Sequence, residues 1–307
     1  MKPLVAQIPK SHLMFFGKML GYLLYYCAVP QRRIVRRNLQ FSFAESSPQE
    51  ISIRSRRIFQ HFGITLLEML QMAYLSPEQL VAKIRIEAEE ILIEAAAQKK
   101  GIVMVTAHLG NYEMAAQAVP CQFGLQMASV AKKLRNVTLN QWIHNLRTRF
   151  GNKIIYKKGA LPEMMQTLRQ GEMVAILMDI SRRFDGVEVN FLGRRATATP
   201  SAALLGLRCK SPIIPAFCHR NSKGDLIVKV EPPVEIRRTK NLRSDLQFNT
   251  QLITARVERA ILNYPEQWDW MLKRWKDFYP DLYPESKKRL KRIKKKKKRR
   301  ATSTGAV

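Results

Sequence analysis

Between residues 102 and 230 short runs of β-branched and apolar residues alternate with helical stretches, and this alternation constrains the fold more than any other feature of the chain. The runs cover residues 102–107, 127–131, 154–156, 173–178, 187–191, 213–217 and 226–230, and helical spacing of apolar residues predicts helices over 138–150, 161–170 and 200–209. Strands alternating with helices of this length predict an α/β fold: a mixed, mostly parallel central sheet flanked by helices. Upstream, Ile51, Ile58, Phe62, Thr65, Leu66, Met69 and Met72 recur near helical spacing and predict a long helix over 48–75, with a second helix at about 88–99. Downstream lies an amphipathic helix from about 243 to 263, then the aromatic segment PEQWDWMLKRWKDFYP.

With 307 residues and 46% apolar content the chain can bury a large core. Its formal charge of +29 is unevenly placed, since KKRLKRIKKKKKRR at 287–300 holds twelve basic residues. The other 41 still exceed the 24 acidic residues by 17, so the body itself is basic. That sign favours an anionic partner: a phosphorylated substrate, an acidic carrier protein, an anionic membrane leaflet or nucleic acid. Nucleic acid fits least, because no RNA- or DNA-binding signature interleaves the basic residues with aromatics, and no nucleic-acid partner is expected. Cys27, Cys121, Cys209 and Cys218 lack metal-ligand spacing, and His61, His144 and His219 have no neighbouring ligand, so neither a metal nor a disulfide framework is expected.

Residues 12–29, HLMFFGKMLGYLLYYCAV, are almost continuously apolar, but Lys18 interrupts them and they fall short of the ~20 residues of a comfortable bilayer span. No small-residue cleavage site follows. An interfacial helix, a marginal span and a buried core helix all remain open; in the first two, QRRIVRR immediately after would hold the rest of the chain on the cytoplasmic side. The expected organisation is a membrane-associated helix at 1–30, one folded domain at 31–280 that carries the function, and a polybasic tail at 281–307, too poor in apolar residues to fold by itself.

Where the first clear strand ends, the chain reads TAHLGNYEM. In α/β sheets ligand sites gather where strands stop, and His108 stands one residue past that strand. An imidazole acts as a base near neutral pH when its second nitrogen is held, and Glu113, in what should be a first helical turn, is placed to fold back onto it. Gly110 permits a tight turn and Asn111 is a helix N-cap candidate. The same residues also suit plain punctuation, with Asn111 capping and Glu113 complementing the helix dipole; spacing alone leaves both readings open.

Other blocks tip the balance. AHLGNYE resembles the H-x4-D/E motif of glycerolipid-type acyltransferases, in the HxGNxE form of the lipid A secondary (lauroyl/myristoyl) acyltransferases. The likeness spans most of residues 10–277 through RRIVRRNLQFSF (32–43), VAKKLRN (130–136), RTRFG (147–151), LMDIS (177–181), VNFLGRRATATPSAALLGL (189–207) and PEQWDWMLKRWK (265–276). Departures are Met271-Leu272 where a histidine is common, Ile180 in place of a glutamine, and Lys132-Lys133 in place of Arg-Pro; they bear on acceptor and chain-length preference.

The resemblance implies an O-acyltransferase that moves a fatty acyl chain from a thioester co-substrate on acyl carrier protein to a hydroxyl of a lipid A precursor or related glycolipid, without a cofactor. Other membrane-lipid acceptors stay open: a lysophospholipid, an ornithine lipid or a glycolipid. His108 would be the base and Glu113 its orienter, backbone N–H groups around Gly110 and Asn111 would receive the oxyanion, and Asp179 would lie near the site. Lys132, Lys133, Arg149, Arg182, Arg183, Arg194 and Arg195 form a set for acceptor phosphates or the acidic carrier. The expected setting is the cytoplasmic face of the bacterial inner membrane, with the protein a monomer.

Overall fold

The computed structural model describes residues 4–134, 136–156 and 159–285; the lysine run lies outside them. Three helices come first: α1 (Lys10–Cys27), α2 (Val29–Ser42) and α3 (Pro48–Met72). Helix α3 begins on a reciprocal cap, in which the Ser47 hydroxyl accepts from the Glu50 N–H and the Glu50 carboxylate accepts from the Ser47 N–H, with Pro48 at its first turn. Short α4 (Pro77–Val81), β1 (Ile84–Glu87) and α5 (Glu90–Ala97) lead into the alternating region: β2 (Ile102–Thr106), α6 (Tyr112–Phe123), β3 (Met127–Ala131), α7 (Val137–Thr148), β4 (Lys153–Tyr156), α8 (Ala160–Arg169) and β5 (Met173–Leu177). Then come β6 (Val187–Phe191), β7 (Arg194–Ala198), α9 (Ser201–Cys209), β8 (Ile213–Arg220), β9 (Leu226–Val230) and α10 (Leu242–Asn263).

Seven strands form the central sheet in the order β1-β9-β8-β2-β5-β3-β4, parallel at every pairing except β8 with β9. Strand β2 sits in the middle, and its alternate residues feed two cores. Val103 and Val105 face the layer built from α8, α9, α10 and the tryptophans, while Ile102 and Met104 face α5 and α6. A parallel sheet covered on both faces explains the unbroken apolar run of β2.

One expectation changes, and two features were not read from the sequence. The 187–191 run is a strand outside the central sheet; it pairs with β7 as a separate antiparallel hairpin, and β7, reading RRATA, has too little apolar content to announce itself. Strand β1 alternates Ile with charge over only four residues and was likewise not anticipated. PEQWDWMLKRWK forms no regular helix beyond a 3-10 turn at Pro265–Gln267, yet Trp268, Trp270 and Trp275 are fully buried. Each indole N–H has an acceptor, respectively the Asp179 carboxylate, the Pro265 carbonyl and the Phe191 carbonyl.

Helix α1 crosses α3 at backbone contact. A Cβ on Gly63 would stand 2.2 Å from the Gly17 carbonyl oxygen, and one on Gly21 2.2 Å from the Phe59 carbonyl oxygen. No single helix among the described residues is long and apolar enough to cross a membrane; α1 and α2 pass that test only jointly, with a 94° bend between them. Because backbone cannot retreat as a flexible side chain can, Gly63→Val is expected to lower unfolding free energy by at least about 1–3 kcal/mol, read from the urea midpoint at unchanged slope.

Candidate active site

Strands β2 and β5 are neighbours in parallel register, with Thr106 opposite Leu177 at their ends. Two residues further along each chain stand His108 and Asp179, so the register alone brings them side by side. The His108 Nδ1 lies 2.9 Å from Asp179 Oδ1, and the His108 backbone N–H donates to Oδ2 at 2.7 Å. The Trp268 indole also donates to Oδ2, at 2.8 Å. Asp179 is wholly buried, and these donors replace the water it has lost.

The orienting partner of His108 is therefore Asp179 and not Glu113. Glu113 does enter the site on the first turn of α6, but its carboxylate is gripped by Arg147 of α7 through Nε at 2.9 Å and through Nη2. That fork-to-fork pairing occupies both carboxylate oxygens. The H-x4-E spacing marks the right turn of chain while giving the wrong partner for the ring, because α6 carries Glu113 away from Nδ1 toward α7.

The turn is held from three sides. Gly110 has φ of 58°, and a Cβ there would stand 2.5 Å from the Cys218 carbonyl oxygen of β8, so glycine is required twice over. The Asn111 side chain caps α6 by accepting from the Met114 N–H, and its amide donates to Glu68 of α3. Glu68 in turn takes both ends of the buried Arg220 guanidinium, at 2.6 and 2.7 Å. The 265–269 segment closes the site as a third support: Gly110 N–H donates to the Gln267 carbonyl and Asp269 N–H to the His108 carbonyl.

These bonds remove one expected donor. The Gly110 N–H is spent on the Gln267 carbonyl and is not left for an oxyanion. The expected cationic set is also dispersed. Lys132 lines the cavity beside His108, and Lys133 lies over the ring of Tyr156, which lines the same cavity. Arg149 donates to the Leu75 carbonyl, Arg182 pairs with Asp185, Arg194 packs over Phe41, and Arg195 pairs with Glu188 while covering Phe278. Arg147, two residues before the arginine singled out from the sequence, lines the same cavity as Lys132.

His108 separates two cavities. One, of about 220 Å³, is lined by Glu113 and Arg147 together with apolar groups such as Val130, Ile143 and Leu177. The other, of about 80 Å³, is walled by α3 through Ile58, Phe62, Leu66 and Met69. Tyr112 borders both and meets the His108 ring edge-on at 4.8 Å between centroids. His144 lines the first and His61 the second, although nothing in the sequence near either suggested a site.

Burial alone would push the His108 imidazole down, but the charge and hydrogen bond of Asp179, with Asp269 and Glu113 nearby, outweigh it and hold the ring above the ordinary histidine value. Burial would raise Asp179, and His108 and Trp268 reverse that to keep it below the usual carboxylate range. Asp269 is raised by its burial. Burial lifts the Tyr112 phenol well above its ordinary value, helped by Glu113, so it stays protonated. His61 falls to about 4, from burial and then from Arg220 and Lys18.

A basic imidazole backed by a buried carboxylate, between two cavities at the strand ends of an α/β sheet, has the make-up of a site that can take up and return a proton. The chain belongs to the bacterial lipid A biosynthesis acyltransferase family, which it matches over residues 2–277, and it is an acyltransferase. It is 26% identical over 283 residues to the lipid A biosynthesis lauroyltransferase of Escherichia coli K12, covering 89% of this chain and 88% of that one. It is 24% identical over 266 residues to the myristoyltransferase of the same organism, covering 86% and 81%, and 23% identical over 276 residues to its palmitoleoyltransferase, covering 88% and 87%.

The shift of His108 is testable by imidazole NMR. The ring should titrate above the ordinary histidine value in the native protein. In Asp179→Asn the burial effect is left less opposed, and the titration should move to lower pH.

Proposed function

We propose that this protein transfers a fatty acyl chain from acyl carrier protein to a hydroxyl of a lipid A precursor at the cytoplasmic face of the inner membrane, with His108 as general base and Asp179 as its orienter. The observation that carries this reading is the 2.9 Å contact from Nδ1 to a carboxylate that has no proton to give. It fixes the neutral tautomer with hydrogen on Nδ1 and the lone pair on Nε2.

An incoming alcohol has a pKa far above neutral, so its proton must leave as the new bond forms. Nε2 takes that proton, the alcohol oxygen attacks the thioester carbonyl carbon, the C–S bond breaks, and the imidazolium returns the proton to the departing sulfur. Asp179 stabilises the imidazolium in between. The developing oxyanion is served by the Tyr112 hydroxyl, which burial keeps protonated, and by the positive Arg147, both bordering the first cavity with His108. With both substrates held at one imidazole, direct transfer needs neither a nucleophilic side chain nor a cofactor.

The test incubates purified protein in detergent with acyl carrier protein thioester and tetra-acylated lipid A precursor, reading the product by mass spectrometry. His108→Ala should lose about 10²–10⁴-fold in kcat; wild-type turnover by that variant would end the reading. Asp179→Asn should lower kcat and shift the acid limb of the pH–rate profile to lower pH, since the base then loses its proton more readily. Glu113→Gln and Arg147→Gln should instead behave as one unit: in a double-mutant cycle the second change should cost little after the first, with a coupling of about 0.5–3 kcal/mol.

A further inference from the structure

On the proposed transfer two substrates must reach His108, and two cavities border its ring. The larger one carries Arg147 and Lys132 as well as the Tyr112 hydroxyl, so it holds the groups to which the oxyanion is assigned and suits the thioester. The alcohol is left with the cavity of about 80 Å³, walled by Ile58, Phe62, Leu66 and Met69 of α3. One water needs about 10–15 Å³ of such space. The small cavity therefore admits a segment of a few atoms and not a whole acyl chain.

Its polar groups fall into two sets. Arg220 and Gln267 are spent: Glu68 grips the guanidinium, and the Gln267 side chain binds the Arg220 N–H and carbonyl. Asp269 and His61 are not. Asp269 Oδ1 accepts from the Met271 N–H at 2.9 Å, while its other oxygen accepts no hydrogen bond among the described residues, and neither ring nitrogen of His61 has a partner among them. Burial raises the Asp269 carboxyl and lowers His61 to about 4, so that ring is uncharged at neutral pH. A carboxylate oxygen beside an apolar wall is costly without a donor, and here no side chain supplies one.

We propose that the small cavity is the acceptor subsite and that Asp269 is its specificity-determining residue, its free oxygen receiving a hydrogen bond from an uncharged hydroxyl or amide N–H of the acceptor close to the attacking hydroxyl. The assignment rests on the transfer reading above and adds to it the place and the polarity of the acceptor. The neutral His61 ring offers a second contact, one nitrogen donating and the other accepting. The negative charge of Asp269 turns away phosphate and carboxylate, so the acceptor's charged groups stay outside while an uncharged segment enters. Backbone sets the spacing: the Asp269 N–H donates to the His108 carbonyl at 3.0 Å, and Leu109 pairs with Trp268 beside it. A donor bound at Asp269 thus places the neighbouring hydroxyl relative to the imidazole.

The test is steady-state kinetics of the full chain in detergent, varying tetra-acylated lipid A precursor at saturating acyl carrier protein thioester and then the reverse. Asp269→Asn can keep an acceptor for the Met271 N–H while turning an amide N–H into the cavity, so the acceptor KM should rise at least about tenfold and the donor KM stay within about twofold. Leu66→Phe, which adds bulk from the α3 wall, should raise the acceptor KM in the same way and carries the test if the first variant does not fold. Val130→Phe, in the larger cavity, should give the opposite split. An unchanged acceptor KM in the small-cavity variants would overturn the assignment, as would a donor KM that rises in them instead. A fall in kcat alone would also overturn it, making Asp269 a support of the catalytic turn. Failure of the transfer reading appears separately, as wild-type turnover in His108→Ala.

Discussion

One buried carboxylate organises the site. Asp179 has no exposure, and an ionised group without water is tolerated only when donors surround it. It receives one from its neighbour's backbone, one from that neighbour's ring and one from an indole. The three donors come from two requirements of the fold. Parallel register between β2 and β5 supplies the first two, and closure of the C-terminal segment over the sheet supplies the third. The carboxylate thus ties the proposed chemistry to folding, because the bonds that stabilise its charge also fix which nitrogen of His108 carries hydrogen.

The C-terminal segment performs this closure without being regular structure. Leu109 and Trp268 form an isolated antiparallel bridge, and Gln267 binds the Gly110 N–H, the Arg220 N–H and the Arg220 carbonyl. A helix there would have spent its backbone groups internally; an irregular chain has them free to bind the catalytic turn. Burial of three tryptophans supplies the apolar surface that keeps the irregular stretch in place.

The sheet was legible because apolar runs such as GIVMV and the 173–178 stretch are long and bounded by glycine or charge. Strands β1 and β7 were not, because IRIE and RRATA are short and polar and become strands only beside a partner. In the site, His108, Gly110, Asn111, Glu113 and Asp179 all stand where a sequence reading points, yet their pairing was not legible. Spacing along one chain suggests Glu113 for the ring, while the actual partner is 71 residues away and is set by strand register. Arg147 was missed for a related reason: an arginine on a helix reads as a solvated charge until the neighbouring helix is known to present a carboxylate.

The basicity of the body does not translate into one phosphate cradle. Arg195, Arg182 and Arg220 are each neutralised by a carboxylate, and Arg194 is laid over Phe41, so much of the excess positive charge is structural or diffuse. What reaches the catalytic cavity is Arg147 with its Glu113 partner and Lys132 at the wall. The same balance governs His108. Asp179 raises the imidazole, favouring its protonated form, while burial favours the neutral form that the proposed transfer needs at its start.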